Sequence, residues 1–256
     1  LTPSTIAIKR QTSYGSGNVS PVEFDGALVF LTKSKGAVRE FVYSDLSQAY
    51  NSDALTLLSQ HMIGSPVDMV AQREASDQVE AYLYTVNSAG KMPVMVSIRK
   101  ESLQGWAEYT TIGSFKNVVN VNRQIFVVVE RTINSQTKTF LELLDNEYHI
   151  DAASKQTNGS AITTWTVSHL PNTEVVVKSG NYSLGTYTTN GSGQLTLTTP
   201  VDNVEIGINY TPTMTTLPPE FTLPDGISVG QKRRIVRAVL DLNESLDVKT
   251  KGTSVL

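Results

Sequence analysis

Three stretches of this chain share one make-up, and together they constrain what it can fold into. Ala27–Val42, Val79–Ile98 and Ile125–Leu144 each read as a β-branched or aromatic run, a short polar turn, and a second such run. Val, Ile, Phe and Tyr suit a pleated, half-buried surface, while Ser, Asn, Gly and Lys at the centres supply turn chemistry. The three starts lie roughly fifty residues apart, the scale of one propeller blade. Further strands are expected between the hairpins, at Val67–Gln72, Gly105–Thr111 and Phe115–Asn120. A hairpin with flanking strands gives four strands per unit, so residues 1–155 read as propeller-like blades, part of a larger propeller.

One short helix interrupts this pattern. Ala37–Tyr43 alternates as a strand, and Ser52 or Asp53 can then cap a helix carrying Leu55, Leu58 and Met62 at spacings of three and four. Gly64 and Pro66 stop it. His61 falls at its end, beside the terminal carbonyls, where its expected role is to help join one blade to the next. From Asp151 to Thr164 the apolar pattern lapses into a polar stretch read as a linker, with Asn158-Gly159 as a turn signal. A small inserted β-sandwich or barrel over residues 156–212 follows, with strands at Thr173–Val177, Tyr182–Thr188, Gln194–Thr198 and Asn203–Tyr210. Pro212, Pro218, Pro219 and Pro224 mark an extended connection. Lys232–Leu242 suits either a helix or a strand, and its β-branched content favours a strand returning to the propeller within residues 213–256. The fold class is therefore all-β.

Composition narrows the function classes. The 256 residues contain no cysteine, which excludes disulfides, thiolate catalysis and cysteine-bound metal. The three histidines, His61, His149 and His169, show no HxH or HExxH spacing, so no metal or other cofactor is expected. A formal charge of −3 is unlike a protein built to grip nucleic acid, which carries a basic patch. No apolar run is long enough to span a bilayer as a helix. The chain starts at Leu1 and ends in KTKGTSVL, and is expected to be a piece of a longer polypeptide.

Candidate sites are few. Lys232, Arg233 and Arg234, with Arg237, form the one concentrated positive cluster and could face DNA phosphates, but the preferred reading is that they flank a strand and pair with acids such as Asp225 or Glu220. Glu130 and Glu142 lie on the two strands of one hairpin, and a carboxylate pair is the minimum for glycoside hydrolysis. Cross-strand pairing with Arg131, Arg123 or Lys138 is the preferred reading, so no catalytic residue is assigned. Trp106, Tyr109 and Trp165 could stack on sugars if exposed, but are read as core. Gly15-Ser16-Gly17 and Gly191-Ser192-Gly193 lack the Lys-Ser or Lys-Thr helix start of a phosphate cradle and read as turns.

The order of these features resembles the C-terminal half of the tail nozzle family of short-tailed bacteriophages, also called tail tubular protein B or packaged-DNA stabilisation protein. The resemblance rests on the opening from Thr2 to Leu31, on Val38–Tyr43 followed by Ser44–Ile63, and on Gln104–Gly113 with its tryptophan. Val127–Leu144, Ser168-His169-Leu170 and Val204–Tyr210 extend it along nearly the whole chain, while Pro171-Asn172-Thr173 departs from the family's Leu-Glu-Gly type of sequence. The resemblance implies a structural, non-enzymatic subunit of a hexameric ring below the portal and its adaptor, in contact with other tail proteins. It implies a conduit and gate through which double-stranded DNA passes transiently, located in the virion and assembled in the host cytoplasm. The rival expectation is a receptor-facing tail module that binds or hydrolyses carbohydrate.

Overall fold

The computed structural model describes residues 10–46, 48–72 and 80–215, with Arg237, Val239 and two short ladders, Thr222–Leu223 with Gly226–Ile227 and Lys249–Thr250 with Thr253–Ser254. The protein is all-β, 61% strand with one short helix, and its four principal sheets are antiparallel, none closed into a barrel. The Lys232–Leu242 element, including Lys232, Arg233 and Arg234, lies outside the described residues except for Arg237 and Val239, which are exposed and in no strand.

The three expected hairpins are present, each within a larger meander. The first sheet runs β1 (Val22–Phe24), β2 (Ala27–Leu31), β3 (Val38–Ser44) and β4 (Ala49–Ala54) in simple order. The second runs β5 (Pro66–Gln72), β6 (Ala81–Asn87), β7 (Met92–Ile98) and β8 (Leu103–Tyr109). A third has three strands, β9 (Ser114–Val121), β10 (Gln124–Ile133) and β11 (Gln136–Leu144).

These sheets stack face to face, because alternation sends successive side chains to opposite sides. Val29, Leu31 and Val38 of the first sheet share a core with Met69, Leu83 and Met95 of the second. From the other side of the second sheet, Tyr84, Val86, Met92 and Val94 meet Phe115, Val118, Ile125, Val127 and Val129 of the third. Strand β6 is thus buried on both faces, which explains why its sequence, AYLYTVN over Ala81–Asn87, does not alternate apolar with polar residues. Each fully buried large apolar side chain contributes about 1.5–3 kcal/mol. The first strands β1, β5 and β9 are neighbours along one side of the stack.

The helix is shorter than expected. Ser52 and Asp53 belong to β4, paired with Phe41 and Glu40, and only α1 (Gln60–Ile63) is helical. Extending the β3 ladder satisfies more backbone than a free helix start: Leu55 N–H donates to the Val38 carbonyl, and Val38 N–H to the Thr56 hydroxyl. Leu57 and Leu58 are consequently exposed, while Ile63 is buried in the core between the first two sheets. His61 is exposed, so Ile63, and not His61, fills the joint between the sheets.

The stretch expected as a linker is instead the strand β12 (Asp151–Thr166). It heads a fourth sheet, ordered β12, β15 (Gln194–Ile208), β13 (Glu174–Ser179), β14 (Tyr182–Thr188). The two strands expected at Gln194–Thr198 and Asn203–Tyr210 are one, β15. Its exposed Pro200 lies where the ladder with β12 breaks register, so the missing N–H costs no regular pairing. Residues from both sides of that break, Trp165, Leu195 and Leu197 on one and Val204, Ile206 and Ile208 on the other, share one core. A single sheet bent at its irregularity therefore encloses its own core, in place of a sandwich or closed barrel.

Candidate functional site

Hairpin β10–β11 is the longest of the three because two cores use it. On one face, Ile125, Val127 and Val129 pack on the second sheet, while Ile133 and Phe140 further along pack in the core of the fourth. Arg131 lies in the same register between them and is 1% exposed. A guanidinium there requires every N–H to be answered.

It is. Nε and Nη2 donate to the two oxygens of Glu142, each at 2.7 Å. Nη2 also donates to Asp151 Oδ1 at 2.9 Å, and Nη1 to Asp151 Oδ2 at 3.1 Å. Nη1 further reaches the Thr111 hydroxyl at 2.6 Å and the Ile112 carbonyl at 2.9 Å. Burial acts to lower the guanidinium pKa, but the hydrogen bonds and charges of Glu142 and Asp151 carry it above its ordinary value. Four pieces of chain meet on this one side chain: β10, β11, the β8–β9 connection and the start of β12. Gly113 permits the approach, since a Cβ there would sit 2.4 Å from the Glu130 carbonyl oxygen, and its φ is +141°.

The sequence candidates fall elsewhere, or into structural roles. Glu142 is held by Arg131, and Glu130 points to the opposite face and pairs with Lys116 at 3.2 Å. The two carboxylates thus do not converge. Trp106 is half-buried, and its Nε1 donates to the Leu55 carbonyl at 2.9 Å, fixing the turn before α1. Trp165 is buried in the fourth sheet's core, and Tyr109 is partly exposed on edge strand β8. His149 Nδ1 lies 3.0 Å from Lys178 Nζ, and His169 Nε2 lies 2.8 Å from the Ala152 carbonyl oxygen. Neither glycine run opens a helix.

Among the described residues, no group of three or more His, Asp or Glu is placed to hold a metal ion. Two of the hollows among the described residues are open ones. One of ≈ 420 Å³ lies between the β6–β7 turn and β9, against Asn87 and Phe115. The other, ≈ 470 Å³, lies on the outer face of the first sheet, lined by Leu28, Phe41, Tyr43 and Tyr50 among others. No helix among the described residues is long and apolar enough to cross a membrane. In comparison with known proteins, no family model and no curated protein matches the chain.

In the sequence alone Arg131 stands out only as a partner for glutamate. Its register with Ile125, Val127, Val129 and Ile133 was the available signal, because a charge on the buried face of a strand demands partners.

Proposed function

We propose that this chain is a structural, non-enzymatic subunit of a bacteriophage tail nozzle, part of a ring-shaped conduit and gate that retains the genome and lets it out on ejection. The observation that carries this reading is the stack of up-and-down sheets, followed by a separate small β unit, in the order that the family resemblance implies. Stacked meanders with their first strands along one side are the build of propeller blades. The reading takes six copies to form a ring, in contact with the portal adaptor and other tail proteins, located in the virion after assembly in the host cytoplasm.

The mechanism is steric and electrostatic. Each Lys or Arg set against phosphate adds salt-dependent affinity, so a wall meant to let DNA slide avoids basic clusters. A formal charge of −3 per chain agrees with this, and leaves Lys232, Arg233, Arg234 and Arg237 as the candidates for local DNA contact. Loops facing the lumen act as the gate.

One observation favours a second reading, a carbohydrate-binding or hydrolysing tail module: Phe41, Tyr43 and Tyr50 form an aromatic group on the first sheet's outer face. Polysaccharide binding and turnover, measured with the purified chain and with Tyr50→Ala, separate the two. The nozzle reading predicts neither binding nor cleavage, together with presence of the chain in purified virions. Cleavage of host polysaccharide by a chain missing from virions overturns it.

A further inference from the structure

The tetrapeptide Thr-Asn-Gly-Ser occurs twice in the chain, at residues 157–160 and 189–192. The two occurrences carry the same side chains, so any difference in their chemistry comes from the fold. The first lies within β12, and the second in the turn between β14 and β15. Asn followed by Gly is open to one reaction in particular. Glycine has no side chain to shield its main-chain nitrogen, which can attack the amide carbon of the preceding asparagine.

The second occurrence is held against this. Asn190 Oδ1 accepts from the main-chain N–H of Ser192 and of Gln194, each at 2.9 Å. The Asn190 N–H donates to the Gln194 carbonyl at 2.8 Å, and its own carbonyl accepts from Asn172 at 3.0 Å and from Gly193 at 2.9 Å. Side chain and main chain are both fixed, and turning Cγ onto the Gly191 nitrogen breaks bonds of each kind.

The first occurrence is open to it. Strand β12 is the outermost of its sheet, so the ladder pairs it on one side. On that side the register passes from Thr157 opposite Asn203 to Ile162 opposite Val201, which leaves residues 158–161 with Asp202 across from them. Asn158 Nδ2 donates to the Ser160 carbonyl at 2.8 Å, a bond that spans Gly159 and folds the amide over it. Nothing stands within 4 Å of where a Cβ on Gly159 would be. Asn190 is the more exposed of the two asparagines, so exposure alone ranks them the other way.

We propose that Asn158 is a site of spontaneous deamidation in the folded chain, and that Asn190 is protected. The Gly159 nitrogen loses its proton to hydroxide and attacks Asn158 Cγ. The Cγ–Nδ2 bond breaks, and the amide nitrogen leaves as ammonia after taking a proton from water. Water then opens the succinimide at Cγ to give aspartate, or at the main-chain carbonyl carbon to give isoaspartate. Either product sets a carboxylate opposite Asp202, and isoaspartate also adds a carbon to the main chain at the irregularity about which the fourth sheet bends. Partly buried Ile162, just beyond it, packs on the fourth sheet's core, so an ageing chain changes at a place its core can sense. The proposal is independent of the ring-forming reading.

Peptide mapping by mass spectrometry tests this on the purified chain, held at mildly alkaline pH either folded or unfolded in urea. In the folded chain Asn158 is expected to gain one dalton at least about tenfold faster than Asn190, as a barrier raised by two or three retained hydrogen bonds requires. In urea the two are expected to convert alike, because their local sequences match. Gly159→Ala, which the space around Gly159 admits, shields the attacking nitrogen and is expected to slow conversion at Asn158 by about tenfold or more. Circular dichroism checks that this variant folds. Asn158→Gln, whose amide carbon lies one bond further from the nitrogen, is expected to abolish the mass gain at that position.

Equal rates at the two asparagines in the folded chain, a faster Asn190, or a difference that persists in urea each overturns the proposal. So does a Gly159→Ala variant that converts as fast as wild type.

Discussion

Among the described residues, replacing Arg131 with alanine should cost more than any other single change on a polar side chain. The guanidinium is fully buried and holds Glu142 through two bonds and Asp151 through two more. Its loss leaves two carboxylates facing each other, with side chains 22% and 20% exposed. Breaking a buried pair by removing one partner costs about 3–5 kcal/mol. Because both acids keep some contact with water, the lower end applies, about 3 kcal/mol, or about 6–12 °C in Tm for a chain of this size.

Arg131 ties the core between the second and third sheets to the core of the fourth, and the two tryptophans lie on the two sides of that tie. Trp106 packs against the core of the first two sheets, and Trp165 lies within the core of the fourth. In Trp106→Phe and Trp165→Phe backgrounds, fluorescence and circular dichroism should give coincident urea transitions within each background with Arg131 present. In Arg131→Ala they should separate, because four segments lose their common tie. Adding Glu142→Ala to Arg131→Ala should cost less than the sum of the single changes, since it removes one stranded charge, with a coupling of about 0.5–3 kcal/mol. A loss below about 1 kcal/mol for Arg131→Ala, or strict additivity, would refute the reasoning.

Gly113→Ala places a Cβ against the Glu130 carbonyl oxygen at a backbone angle that favours glycine, so a loss of about 1–3 kcal/mol is expected in chemical unfolding. Trp106→Phe keeps the ring in place but leaves the Leu55 carbonyl with one donor, Gln104, and should cost about 1 kcal/mol, read as a shift in the urea midpoint. Burial raises the pKa of Tyr84 and of Tyr109 above their ordinary value, with neighbouring phenols adding to the effect. A raised folded-state pKa gives stability that is full below the unfolded value near 10 and is lost as pH climbs toward the folded one. Melts between about pH 8 and 11 should therefore fall at the alkaline end, and fall less in Tyr84→Phe.

The sheets were legible because their signals are local. The runs at Ala27–Val42, Val79–Ile98 and Ile125–Leu144 combine β-forming side chains with turn residues, and the described residues of each fold as a hairpin. The segment Ser52–Met62 misled because helical spacing of Leu55, Leu58 and Met62 is only a local preference, and pairing of Ser52 with Phe41 overrides it. Asp151–Thr164 misled in the opposite direction. Its Ser, Thr, Asn and Gln look like a linker, but its one neighbour in the fourth sheet, the long strand β15, supplies ladder partners that composition does not reveal. The joint at Arg131 depends on Asp151, twenty residues away, and on Thr111, twenty before, so no single window of sequence contains it.

The central claim is that this chain builds the wall of a ring-shaped conduit, and electron cryo-microscopy of intact phage tails tests it most directly. The account predicts a ring of density below the portal into which the three stacked sheets fit, repeated about an open axial channel wide enough for the DNA duplex. Density for this chain in a peripheral spike or fibre, away from the axis, would contradict it.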